Sequence, residues 1–355
     1  MRNRGVPRED LEQVTRLIAP CMAMFRGARI LVTGASGFFG SWIVETFHHA
    51  NQTLGLNAEL VGVGAPTDDF AAQCPQLLGL DDVKMIRADT RQLATELQLQ
   101  LPEWGDRIDA VIHAAIHVDS PTYDRQPLPT LETGVMGTWQ ALELAWKANV
   151  KRFLFISSGA VYGAQPQTTE RIDEDHDSKL NCADHQAAYA EAKRIGETLC
   201  SGYLRQHGVP VTIARPFAFV GPHLPLDRHF AIGNFIRDAL RGGPIVVESD
   251  GAPLRSYLYA ADLAVWMWTI LARGTLARPY NIGAERVISI RELAELVAQI
   301  ASPNVAVEVR GVPGAGPPPR YIPSTTRIRR ELGLTETVAL EDAIRRTIAW
   351  HRQTS

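Results

Sequence analysis

The chain has 355 residues, with 36 Lys and Arg against 39 Asp and Glu and a formal net charge of -3. That length allows a large core and a second lobe, while interspersed charges leave no footprint for nucleic acid or an anionic membrane surface. Cys21, Cys74, Cys182 and Cys200 lack metal-type or redox-type spacing and read as ordinary thiols of a reducing, cytoplasmic compartment.

Residues 1–26 read as an N-terminal helical extension. Leu11, Val14, Leu17, Ile18, Cys21 and Met22 share one helical stripe behind a charged start at Arg8, Glu9, Asp10 and Glu12. A secretory signal needs an unbroken apolar run, which this stretch lacks. No later segment reaches the roughly 20 apolar residues of a membrane span.

Arg29–Thr33 is a short β-branched run bounded by glycine, as expected of a central parallel strand covered on both faces. Gly34, Gly37 and Gly40 follow, spaced for a tight turn, a close approach to a pyrophosphate and a helix lying against the sheet. The positive end of that helix, Phe38 to Ala50, then faces the phosphates, which makes the stretch a dinucleotide site. A second strand at Ala58–Gly64 normally ends on an acid for the ribose 2′-hydroxyl. Here Gly64-Ala65-Pro66-Thr67 intervenes before Asp68 and Asp69, and the choice between NAD and NADP stays open.

Further strands fit Val83–Arg87, leading to Asp89, then Ala110–His113, opening into Ala114-Ala115, and Phe153–Ile156, running into Ser157-Ser158-Gly159-Ala160-Val161-Tyr162-Gly163. Helical periodicity occupies Gly137 to Ala148. This alternation predicts a Rossmann-type doubly wound parallel sheet, α/β in class. The domain reading is a Rossmann domain over 27–214 and a smaller lobe over 215–355, where prolines break the alternation and helices fit Ile232–Arg241, Ala260–Ala272 and Ser289–Ala301. The cleft between lobes is the expected substrate site. Trp266, Met267, Trp268 and Ile270 read as core.

Tyr189 and Lys193 stand at i and i+4, one turn apart on one helix face. A phenol ionising near 10 is a poor base at neutral pH, and a neighbouring ammonium brings it into range for general acid–base work. Such a pair also suits a solvated helix surface. Ser158, at the carboxyl end of a predicted strand where open α/β sheets place ligands, turns the pair into a candidate site.

In these motifs the chain resembles the extended short-chain dehydrogenase/reductases, in particular the NAD-dependent epimerase/dehydratase group acting on nucleotide sugars. They are TGASGFFG at 33–40, Asp89, His113-Ala114-Ala115, SSGAVYG at 157–163, YAEAK at 189–193, RPFAFVGP at 215–222, LRSYLYAADLA at 254–264 and YNIG at 280–283. The resemblance implies catalysis by Ser158, Tyr189 and Lys193. It implies an NAD site, with NADP left open, formed by Gly34, Ser36, Gly37, Phe38, Phe39, Gly40, Asp89, Thr90, His113, Ala114, Ala115, Tyr189, Lys193 and Pro216. It places substrate on Ser158, Tyr189, Asn234, Arg255 and Arg320, with Arg255 gripping a diphosphate and the stretch from His229 to Phe235 near the nucleotide. A homodimer built on the helix bearing Tyr189 is implied too, as is the absence of a metal. Relatives that dehydrate or decarboxylate keep an acid after the catalytic Ser or Thr, and here Gly159-Ala160 stands there. Gly134 likewise replaces the Asn of an Asn-Val-x-Gly-Thr motif. The expected activity is therefore epimerisation at C4 of a nucleotide sugar. A 4-ketosugar reductase is the alternative, followed by a dehydratase or decarboxylase borrowing an acid such as Asp119 or Glu191, or a non-catalytic NAD(P) sensor.

Overall fold

The computed structural model of the protein describes residues 5–104, 107–116, 127–228, 230–302, 304–314 and 316–354. Strand β1 (Arg29–Thr33), buried from Ile30 onward, lies inside a seven-stranded sheet. On one side β2 (Glu59–Gly64) and β3 (Val83–Arg87) follow in parallel, and on the other β4 (Ala110–His113), β5 (Arg152–Ile156) and β6 (Val211–Pro216). The strand Pro279–Ile282, β7, lies next to β6 at the edge. This is the doubly wound Rossmann order, and its reversal between β1 and β4 opens a crevice at the carboxyl ends of the strands.

Helix α1 (Arg8–Met22) packs on α2 (Phe38–Leu54), which Gly55 ends in the left-handed conformation. Val14, Ile18, Cys21 and Met22 are buried as expected, but Leu17 is 40% exposed. The helix is rolled so that Asp10 and Thr15 turn inward, Thr15 Oγ1 lying 2.7 Å from His49 Nδ1 on α2. Helix α3 (Pro127–Lys147) begins ten residues before the expected Gly137. Glycine weakens a helical pattern, yet Gly134 serves packing, since a Cβ there would lie 2.7 Å from Ala192 Cβ on α4 (Ala188–His207). On α5 (Ala260–Arg273), Trp266 and Trp268 are core. The Trp268 ring lies 5.8 Å from Phe25 and 6.4 Å from Phe47, and its Nε1 donates to Thr46 Oγ1 over 3.1 Å.

Two compact units result, and they interleave. The first holds the described residues up to Val161, then Leu180–Arg215 and Ala264–Tyr280; the second holds Tyr162–Lys179, Pro216–Leu263 and the described residues from Asn281. A serial split at 214/215 therefore describes the chain incompletely. The segment after Val161 leaves the first unit, and α5 with β7 brings a late stretch back to its sheet.

The second unit carries short pairings. Leu254–Arg255 lies between Ile288–Ser289, antiparallel, and Arg320–Tyr321, parallel. Ile245–Val247 pairs in parallel with Val307–Val309. Helix Ile290–Ala301 starts at a reciprocal capping box between Ser289 and Glu292. Ile172, in the segment after Val161, donates its amide to the Ile322 carbonyl at 2.9 Å.

Candidate active site

The glycine turn forms an anion cradle. Helix α2 begins after Gly37, an extended N-cap residue whose first amides receive no side-chain cap. Gly34 has φ +72°, and a Cβ there would press within 3.0 Å of the Ala115 amide. At Gly40 a Cβ would come within 2.2 Å of the Gly34 carbonyl, so only glycine lets the helix start so close to the turn. This shape fits the pyrophosphate of a dinucleotide.

Beside the cradle stands an acid that lies beyond the end of β2 in the sequence. Asp68 takes the Ser36 hydroxyl and the Ala65 amide, the latter at 2.8 Å. A Cβ on Gly64, the last residue of β2, would fall 2.5 Å from an Asp68 carboxylate oxygen and 2.4 Å from the Phe70 ring. The side-chain space at the strand end is thus filled by a carboxylate arriving four residues later. Arg87 holds that turn, donating to the Asp68 carbonyl and lying 4.9 Å over the Phe70 ring. A search confined to the strand end misses this device.

Asp89 caps the turn Thr90–Gln92 and grips Arg91, whose Nη2 lies 2.6 Å from Oδ2. That guanidinium holds the Asp89 carboxyl below its usual range. Thr90 is buried, and buried Pro216 ends β6. His113 is buried at the end of β4, with both ring nitrogens engaged by Thr33 and Thr138. Ala114 and Ala115 follow against Gly34.

Ser158 follows β5, 8% exposed, its Oγ accepting the Ala160 amide at 3.1 Å. Lys193 is buried on α4 and donates to the Ile156 carbonyl at 2.6 Å, so the helix is pinned two residues before Ser158. Burial lowers the Lys193 ammonium to about 7, opposed by the charge of Glu197. Half-buried Tyr189 lies one turn earlier on the same helix.

Glu197 continues this i, i+4 row, the signal that could have found it. Its carboxylate accepts the Ser157 hydroxyl at 2.5 Å and both arms of Arg215, at 2.9 and 2.6 Å. One carboxylate thereby ties the ends of β5 and β6 to the helix of Tyr189. Glu191 instead lies 3.7 Å from Arg194, 22% exposed, while Asp119 and His229 lie outside the described residues.

In the second unit the Arg255 guanidinium lies 5.8 Å over Tyr321, which packs 4.6 Å from Phe217. Arg320 stands on the neighbouring strand with its Nε buried and lacking a hydrogen-bond partner. Among the described residues neither arginine pairs with a carboxylate, which leaves two cations for an anionic group. Asn234 accepts from Arg237 at 3.0 Å, and His223 packs 4.9 Å from Trp350. Among the described residues no group of three or more His, Cys, Asp or Glu is placed to hold a metal, and no helix is long and apolar enough to cross a membrane.

The family model described as "NAD dependent epimerase/dehydratase family" matches residues 30–283. The chain belongs to that family. UDP-glucuronic acid decarboxylase 6 of Arabidopsis thaliana is 30% identical to this epimerase/dehydratase family member over 321 residues, covering 89% of this chain and 86% of that protein. UDP-glucuronic acid decarboxylase 1 of Xenopus tropicalis is 28% identical, covering 92% and 72%. Among solved structures, an epimerase from Methanothermobacter thermautotrophicus superposes with a TM-score of 0.80 at 20% identity, covering 95% and 96% of the two chains. A UDP-glucuronic acid 4-epimerase variant from Bacillus cereus, in complex with a fluorinated UDP-glucuronic acid and NAD, gives 0.76 at 24% identity, covering 92% and 100%. These two structures support the fold.

Proposed function

We propose that the protein is an NAD-dependent epimerase acting at C4 of a nucleotide sugar, with a UDP-linked hexuronic acid as its substrate class. NAD, when bound, supplies a reversible two-electron oxidation of the sugar carbon. The chain's residues do the rest. Gly34, Ser36, Gly37, Phe38, Phe39 and Gly40 receive the pyrophosphate, and Asp68 takes the ribose hydroxyls, with Asp89 and Thr90 bordering the adenine. Ser158 holds the reacting C4 oxygen, Tyr189 takes and returns its proton, and Lys193 binds the nicotinamide ribose and supplies the positive charge that makes the phenolate accessible. In the second unit Arg255 and Arg320 take the diphosphate, in the paired geometry that guanidinium and phosphate favour, and Asn234 borders the nucleotide.

The observation that carries this reading is the strand end itself: Lys193 is pinned to the Ile156 carbonyl beside Ser158, and Gly159-Ala160 follows with no acid. A hexuronic acid oxidised at C4 has its carboxylate β to a ketone. Productive loss of carbon dioxide then requires a proton delivered to C5. With no carboxylic acid after Ser158, return of the proton to the C4 oxygen by Tyr189 is the step the residues support. Decarboxylation is the second reading, favoured by the names of the curated relatives.

Products from UDP-glucuronic acid and UDP-glucose, separated by mass and by proton NMR, decide between them. A C4 epimer of unchanged mass supports the epimerase, and a pentose nucleotide with released carbon dioxide establishes the decarboxylase. Consumption of added reduced cofactor by a 4-keto sugar establishes the reductase.

A homodimer is part of the proposal. Leu128, Met136, Trp139 and Trp146 on α3 and Ile195 on α4 are all at least 40% exposed, and the two helices pack side by side. Exposed apolar side chains of this size on one helix pair mark an interaction face.

A further inference from the structure

His113 is 1% exposed, and its ring is stacked on Phe155 with centroids 6.1 Å apart. Its Nδ1 lies 2.8 Å from Thr33 Oγ1 and its Nε2 3.2 Å from Thr138 Oγ1. The other partners of the two threonines fix where the protons sit. Thr138 Oγ1 lies 2.6 Å from the Gly134 carbonyl, which only accepts, so the single hydroxyl proton is spent there. Nε2 must therefore donate to Thr138. Thr33 Oγ1 accepts the Ala115 amide and, shared with Thr33's own carbonyl, the Ala114 amide, each at 3.2 Å, which occupies both its lone pairs. Its proton is left for Nδ1. A doubly protonated ring would bring a third donor onto Thr33 and leave that hydroxyl proton without an acceptor.

We infer that His113 is a positioning residue which, as the neutral Nε2–H tautomer, sets the backbone of the cofactor crevice without touching the cofactor. It orients Thr33, and Thr33 holds the Ala114 and Ala115 amides. The 114–115 peptide is the surface against which Gly34 packs, where a Cβ would have only 3.0 Å. One ring thus keeps the glycine turn of β1 in register with the turn after β4. Burial supports the neutral form by pulling the imidazole down to about 3, with the nearby Lys193 charge acting in the same direction. The inference rests on family membership and the cofactor, and is independent of the reaction catalysed.

The test is nitrogen-15 NMR of histidine-labelled protein at neutral pH, combined with NAD titration calorimetry on variants. A ring protonated only at Nε2 is expected, whereas a proton on Nδ1 overturns the assignment. His113→Leu keeps bulk and removes both polar atoms, and is expected to weaken NAD about tenfold or more, the value of one well-made hydrogen bond. His113→Asn, which restores a donor and an acceptor, is expected to stay within about threefold of the parent. Leucine binding NAD as tightly as histidine, or asparagine binding no better than leucine, refutes the positioning role. Should His113→Leu fold poorly, Thr33→Val removes the intermediate hydroxyl at nearly constant volume and must produce the same loss.

Discussion

The hydroxyl of Tyr162 donates to the side-chain oxygen of Asn281, 2.8 Å away in the buried interior of the second unit. Asn281 also gives its side-chain amide to the Ile172 carbonyl at 2.9 Å and its backbone amide to Glu174 at the same distance. Two motifs 119 positions apart, SSGAVYG and YNIG, are thereby one hydrogen-bonded junction. Asn281→Ala removes the acceptor of the buried Tyr162 hydroxyl and one of two donors to the Ile172 carbonyl, which keeps the Ser324 amide at 2.7 Å, and should cost about 2–3 kcal/mol in urea unfolding, against about 1 kcal/mol for Tyr162→Phe. Equal costs would show that the junction is not centred on Asn281.

Replacing Tyr189 by Phe removes one oxygen from a half-buried helix position. Turnover should fall by about 10²–10⁴, the usual worth of a positioned acid–base group, while calorimetric NAD affinity changes little. Retained turnover would assign the proton transfer elsewhere.

Lys193 ties stability to pH. Its ammonium ionises near 10.5 in an ordinary setting and at about 7 in the folded protein, because of burial. Between those values the unfolded chain holds the extra proton, so stability rises with pH across the window and is flat with respect to this group below it. Glu197 opposes the lowering. In Glu197→Gln the rise should therefore begin below pH 7, and the variant should lose about 1–3 kcal/mol, since the partly buried Arg215 guanidinium loses the carboxylate it grips at 2.9 and 2.6 Å. Urea unfolding at a series of pH values reads both effects, and an unmoved onset argues against the coupling.

Asp68 should govern the choice of dinucleotide. A carboxylate favours a ribose 2′-hydroxyl and repels a 2′-phosphate. Asp68→Ala should weaken NAD and narrow its advantage over NADP by about tenfold or more, as equilibrium titrations with each would reveal. An unchanged ratio would remove Asp68 from the ribose site.

Trp139 is 48% exposed on α3. A charge there, Trp139→Glu, should convert a dimer to monomer in sedimentation equilibrium while leaving the unfolding transition cooperative. A parent that sediments as a monomer would dismiss the dimer.

Most of the sheet is legible in the sequence because parallel strands buried on both faces are continuous apolar runs, and Ala110–His113 begins and ends as read, as does the edge strand Val83–Arg87 with its exposed Lys84 and Arg87. The misreadings have local causes. Gly134 lowers helix propensity and hides the first half of α3, although its lack of a side chain is what lets α4 approach. Asp68 escapes because a loop, and not the strand, delivers the acid. Glu197 sits in plain view one turn beyond Lys193, but its partners, Ser157 and Arg215, come from two strand ends that no local pattern brings together. Tyr189 and Lys193 were legible because their spacing is itself the geometry.

The return of α5 and β7 to the first unit has a practical side. A fragment ending near Arg215 contains every glycine-turn and helix residue assigned to NAD, yet it lacks Trp268 and so leaves Phe25, Phe47 and the Thr46 hydroxyl facing water. Such a piece should be insoluble or protease-labile by itself. Limited digestion should accordingly yield nicked but still associated chains in preference to a free-standing nucleotide module, and any bisection of this protein for complementation would have to keep 264–280 with the amino-terminal half.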